Sequence, residues 1–136
     1  MDASVIYALL DANDNNHEAA TTWYLATLPA LTTTPLILAE VDHLAGTRAG
    51  VVAQRAFRTD LASGAYDIAW WPEAAAQCVN IAEQYHDLDV GLADASLVAL
   101  ASRLGTVDIA TFDERHFRAM RPESGGNAFR LLPADH

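Results

Sequence analysis

Four carboxylates stand where a merely solvated acid is out of place. Glu40 lies in Leu36-Ile-Leu-Ala-Glu40-Val-Asp-His-Leu44, with Leu36 and Ile37 one helical turn before it and Leu44 one turn after. That spacing puts it on an apolar face, where an ionised carboxylate needs a cation or a network of donors. Asp42 falls elsewhere on the wheel, on a wet face. Asp94 stands in the first turn of the most apolar helical stretch of the chain. The helix dipole favours an acid there, so a plain capping role is the alternative. Asp113 directly follows a predicted strand, at the carboxyl end where open α/β sheets place their ligands, and it can equally cap the next helix. Asp2 precedes an apolar, helix-like run, as an acid at the end of a first parallel strand does. If the fold gathers these four, hard oxygen donors without cysteine or paired histidines select Mg²⁺ or Mn²⁺.

The elements that must gather them alternate. Ser4 to Leu10 is short and apolar, a polar break follows at residues 11–16, and His17 to Leu28 reads as a helix. Leu31 to Thr34 suggests a strand of β-branched residues, Pro35 opens a helix, and Gly46 is expected to close it. Arg48 to Ser63 is helical with Gly64 as its stop, Tyr66 to Trp71 is a strand, and Pro72 opens a helix to about His86. Leu92 to Leu104 repeats leucine and alanine at i, i+3, i+4 and i+7, is closed by Gly105, and is expected to be buried on most sides. A strand at Thr106 to Thr111, a short helix at Asp113 to Met120 and a final strand at Phe129 to Leu132 complete the pattern. Strands alternating with helices predict an α/β domain over residues 1–136, a parallel sheet with helices packed on it.

Composition removes several classes of function. An apolar fraction of 51% and a charged fraction of 19% describe a globular chain. The formal charge is −10 and all eight bases are arginine. Such a surface repels phosphate backbones at long range, which disfavours a non-specific nucleic-acid coat. It leaves room for a nuclease, because metal-binding carboxylates belong to the negative count. Cys78 stands alone, so neither a disulfide framework nor a thiolate zinc cluster is available. Residues 19–39 are uncharged, but prolines and threonines interrupt them, and Met1-Asp2 opens without a basic region. The expectation is a cytoplasmic protein without a membrane segment.

Asp2-Ala3-Ser4, Leu38-Ala-Glu40-Val, Gly91-Leu-Ala-Asp94-Ala-Ser-Leu and Thr111-Phe-Asp113-Glu-Arg-His-Phe117 occur in this order. Together they resemble the successive acidic motifs of PIN-domain ribonucleases, and more closely the VapC toxins of bacterial toxin–antitoxin pairs. The resemblance covers nearly the whole chain. It implies an α/β/α sandwich around a parallel sheet, with Asp2, Glu40, Asp94 and Asp113 forming a Mg²⁺ (or Mn²⁺) cluster. In that scheme Asp2 and Asp94 are the principal ligands, and Ser4 and Thr111 support the carboxylates by hydrogen bonding. The implied activity is metal-dependent endoribonucleolytic cleavage by an activated water. The implied partners are RNA, a VapB-like antitoxin and a second copy of the chain in a homodimer. Family members carry a few apolar residues ahead of the first acid, as a first strand. Only Met1 precedes Asp2 here, so three to five aliphatic residues encoded in frame just upstream are expected.

Other features carry weaker signals. Arg115, Arg118 and Arg121 recur every three residues beside the Asp113 motif, either as a solvated face or as a rim that grips RNA phosphates. The five histidines show no paired ligand spacing and read as surface or packing residues; Trp70-Trp71 reads as core and sheet edge. Two rival functions remain at this point. One is a non-catalytic acidic module of PIN-like fold that engages a basic partner segment. The other is a small Mg²⁺-dependent phosphatase, which lacks an early Asp-x-Asp pair.

Overall fold

The strongest local signals become the spine of the fold. In the computed structural model, which describes residues 1–135, helix α6 spans Leu92–Leu104. Every residue from Ala95 to Ala101 is buried. Small side chains at Ala95, Ser96, Ala99 and Ala101 let neighbouring helices approach closely. Gly105 closes the helix in the left-handed region (φ +66°), a conformation that costs glycine little. Helix α5 (Ala74–Gln84) packs along α6 through Cys78 and Ile81, and α3 (Pro35–Leu44) packs across it through Ile37, Leu38 and Val41. Helices α1 (Ala3–Leu10) and α2 (His17–Thr27) pair with one another, and α1 also packs on α3. Helix α4 (Val51–Ala62) sends Phe57 fully into the core, where its ring meets Tyr66 at 5.6 Å.

The strands are parallel and short. Thr32–Thr33 (β1) pairs with Asp67–Ile68 (β2), and Asp108–Ala110 (β3) pairs with Arg130–Leu132 (β4). The predicted strands at Tyr66 to Trp71 and Thr106 to Thr111 shrink to these cores. The two pairs do not hydrogen-bond to each other. Among the described residues, Met1 and Asp2 bridge them. The Met1 amine donates to the Thr32 carbonyl (2.8 Å), and the Asp2 N–H donates to the Ala110 carbonyl (2.9 Å). Past Met1 the gap continues as a slot of about 260 Å³, walled by Trp23, Leu97, Leu100, Leu104, Ile109 and Leu132. Asp2 therefore does not end a full central strand. It is the N-cap residue of α1 and makes one rung, to β3, while Met1 makes the one to β1.

Gly46 does not end a helix as expected. The chain widens there into a π-helical turn at Ala45–Ala49, and the break falls at Gly50 (φ +97°), where α4 then begins. The physical reason is that the positive-φ break is taken by Gly50, whereas Gly46 is not among the positive-φ glycines. A Cβ at Gly46 would lie 2.7 Å from the Gln54 amide nitrogen, which donates to the Asp42 carbonyl. Helix α7 (Glu114–Ala119) starts one residue later than predicted and is held by the buried Phe117 and Met120. Trp71 is buried and Trp70 is partly exposed. Among the described residues no helix is long and apolar enough to cross a membrane. His136 lies outside the described residues.

Candidate metal centre

Asp2 is held more tightly than its place near a chain end suggests. Its side chain is buried, and Oδ2 accepts from Ser4 Oγ (2.8 Å) and Thr111 Oγ1 (2.7 Å). Each hydroxyl in turn accepts a backbone N–H: Ser4 from Phe112 (2.9 Å) and Thr111 from Asp113 (2.9 Å). Those two acceptor roles orient both hydroxyl protons toward Asp2. Two donors on one oxygen leave Oδ1 free to face a cation. The same bonds fasten the β3–α7 loop, and hence Asp113, to the first turn of α1.

Asp94 enters from α6 and Asp113 from the N-cap position of α7. A buried hydrogen bond between Thr34 and Ser96 (2.7 Å) joins the first turns of α3 and α6, which fixes Asp94 relative to Glu40. Ligating atoms of Asp94, Asp113 and His116 all lie within 4.8 Å of one another. His116 Nδ1 stands 2.9 Å from Asp94 Oδ2 and 4.0 Å from Asp113 Oδ2. Reading the histidines as surface or packing residues missed this one. The signal was present at short range, because residue i+3 from an N-terminal acid shares its helix face.

Glu40 does not sit on a buried apolar face. Ile37, Leu38 and Val41 take the core side of α3, and Glu40 is exposed at the edge of that face, over the crevice. Its carboxyl is still pushed above the usual range, first by partial burial and then by the charges of Asp2, Asp94 and Asp113. Asp94 is also raised, mainly by burial and further by Asp2 and Asp113, with the His116 hydrogen bond pulling the other way. Asp94 and Asp113 thus come together with His116, while Asp2 and Glu40 lie outside that 4.8 Å group and act on it through their charge. Among the described residues none of the four is paired with an arginine, since the arginine ion pairs go to Asp42, Asp108, Glu114 and Asp135.

A raised carboxyl binds its proton more tightly in the folded chain than in the unfolded one. These two groups therefore cost stability as pH climbs from the ordinary carboxylate range through their raised values. Glu40→Gln without divalent ions is expected to melt no lower than wild type at neutral pH, and higher if repulsion dominates. A clear fall in melting temperature would mean that Glu40 belongs to a structural network instead.

The arginines beside the site divide. Arg118 is bound by Glu114 (2.6 Å) and by a bidentate contact to Asp135 (2.7 Å). Arg115 and Arg121 are exposed.

Comparison with known proteins bears on this geometry. A family model for the PIN domain matches residues 1–121. The chain is 39% identical over 134 residues to Ribonuclease VapC26 of Mycobacterium tuberculosis, with 98% of each chain covered. The crystal structure of VapC20 from the same organism, a sarcin-ricin loop cleaving toxin, matches with a TM-score of 0.71 at 21% identity. That match covers 79% of this chain and 83% of the other, and it is a likeness of fold.

Proposed function

The chain belongs to the PIN-domain family as an endoribonuclease of the VapC toxin type, and from that premise we propose that Asp2, Glu40, Asp94 and Asp113 hold Mg²⁺ or Mn²⁺ for RNA cleavage. The observation that carries this reading is geometric: ligating atoms of Asp94, Asp113 and His116 lie within 4.8 Å of one another, Asp2 and Glu40 stand near enough for their charges to be felt, and among the described residues no arginine pairs with any of the four acids. Oxygen donors crowded in this way suit a hard divalent cation. Asp2 offers Oδ1, Asp94 and Asp113 flank the crevice, and Glu40 stands at its open edge. A bound ion would lower the pKa of water and neutralise phosphate charge. The protein's own contribution is placement. Ser4 and Thr111 hold Asp2, Thr34 and Ser96 hold α3 against α6, and Arg115 and Arg121 offer cations to the RNA backbone outside the acidic crevice. Cleavage of total RNA should require Mg²⁺ or Mn²⁺. Release of free phosphate from small esters without RNA cleavage would replace this reading with a phosphatase.

We further infer a cytoplasmic VapB-like antitoxin and a homodimer. An arginine on an antitoxin tail can enter the crevice and pair bidentately with its carboxylates. Co-expression with the adjacent small gene is expected to yield a co-purifying complex with suppressed cleavage. Recovery of the protein alone, cutting RNA undiminished in the presence of that gene product, would remove the antitoxin.

A further inference from the structure

Helix α7 has an anchor on the core besides the His116–Asp94 contact. Phe117 and Met120 are fully buried and dock α7 on the core without it. Both partners are largely shielded from water, with side-chain exposures of 21% for His116 and 17% for Asp94. A hydrogen bond kept in such a place acts on the groups that make it. An ionised carboxylate is an acceptor only, so at 2.9 Å the proton must lie on Nδ1. The terminal torsion of an aspartate is broad, and a free carboxylate of Asp94 would swivel among Asp2, Glu40 and Asp113, which repel it. Pinning Oδ2 sets the carboxylate plane and leaves Oδ1 turned away from the imidazole.

We propose that His116 is a positioning residue for the metal centre: its Nδ1–H fixes Asp94 Oδ2 so that Oδ1 is presented to the cation. This rests on the metal reading given above. The 4.0 Å separation from Asp113 Oδ2 exceeds a hydrogen bond, so the imidazole acts on Asp94 while standing beside Asp113 without engaging it. Outer hydrogen-bond partners of ligands commonly govern affinity in this manner.

The test uses the full chain and Mn²⁺ alone as probe. His116→Ala removes the donor, whereas His116→Asn keeps a side-chain N–H at about the position of Nδ1. Calorimetry is expected to show Mn²⁺ binding weakened roughly 10–100-fold in the alanine variant and restored to within about threefold of wild type in the asparagine variant. Melting in chelator should be the same for both variants, and kcat rather than KM should fall in the alanine variant. Pulsed EPR of Mn²⁺ bound to wild type should show no histidine nitrogen in its coordination. Unchanged Mn²⁺ affinity in His116→Ala overturns the proposal. Equal weakening in both variants, or a nitrogen coupling to Mn²⁺, overturns it in favour of direct ligation. Wild-type protein that binds no Mn²⁺ overturns the metal reading itself, and this role with it.

Discussion

Asp94→Asn is expected to weaken Mn²⁺ or Mg²⁺ binding at least tenfold, about 1.4 kcal/mol, and to lower RNA cleavage by about a hundredfold or more. The reasons are local. Asparagine keeps the shape of the side chain and an acceptor for His116, so the first turn of α6 stays in place. What disappears is one negative charge at the centre of the cluster, where Asp2 and Asp113 already press on it. The metal-free variant is accordingly expected to melt at or above wild type, which separates lost function from lost fold. Calorimetry and a cleavage assay on total RNA with sequenced ends check both halves. Equal metal affinity in variant and wild type would take Asp94 out of the site.

Four aliphatic residues placed ahead of Met1 are expected to raise the melting temperature by roughly 2–6 °C for each ~1 kcal/mol gained, and to raise cleavage as well. The slot past Met1 separates two parallel half-sheets. Val107 and Thr111 direct peptide groups to β4, so the alternation of a parallel ladder turns those of Asp108 and Ala110 toward the slot. The indole N–H of Trp23, on the slot wall, is buried without a partner among the described residues. An added strand would supply acceptors, cover apolar walls, and hold Asp2 by pairing on both sides.

It would also replace a buried ammonium with a neutral peptide N–H. Burial lowers the Met1 amine from 8.0 to about 6, with Asp2 opposing the shift. The unfolded chain therefore binds more protons between those values, and this group makes stability rise with pH from 6 to 8. That slope should vanish in the extended chain, while a control extension of serine and glutamate should gain no melting temperature. If extended and present chains melt and cut alike, the slot does not take a strand.

How much of this was legible beforehand depends on the range of the forces involved. The bounds of α6 could be read directly, because an apolar 3.6-residue period and a glycine in the left-handed region act within a few residues. The four acids could be singled out as candidates too, since their local setting and the lack of thiols or paired imidazoles are read without the fold. Strand lengths were not, because β1 to β4 are two or three residues long and exist only through pairing with distant segments. Gly46 carried the local mark of a helix stop, yet the chain runs through it in a π turn and breaks at Gly50 instead. Glu40 was assigned to the apolar face by its spacing, but the docking of α3 on α6 chose Ile37, Leu38 and Val41 for the core and left Glu40 over the crevice.

The sequence alone determined which acids were candidates and the order of the elements that carry them, for propensity, capping and periodicity are short-range. Only the tertiary structure decided that Ser4 and Thr111 share one oxygen of Asp2, that His116 takes one oxygen of Asp94, and that the sheet is divided at Met1. Each of these joins residues far apart in the chain or on different elements. Hydrogen-bond direction and electrostatic crowding are set by distances of a few ångströms, which only the packed fold defines.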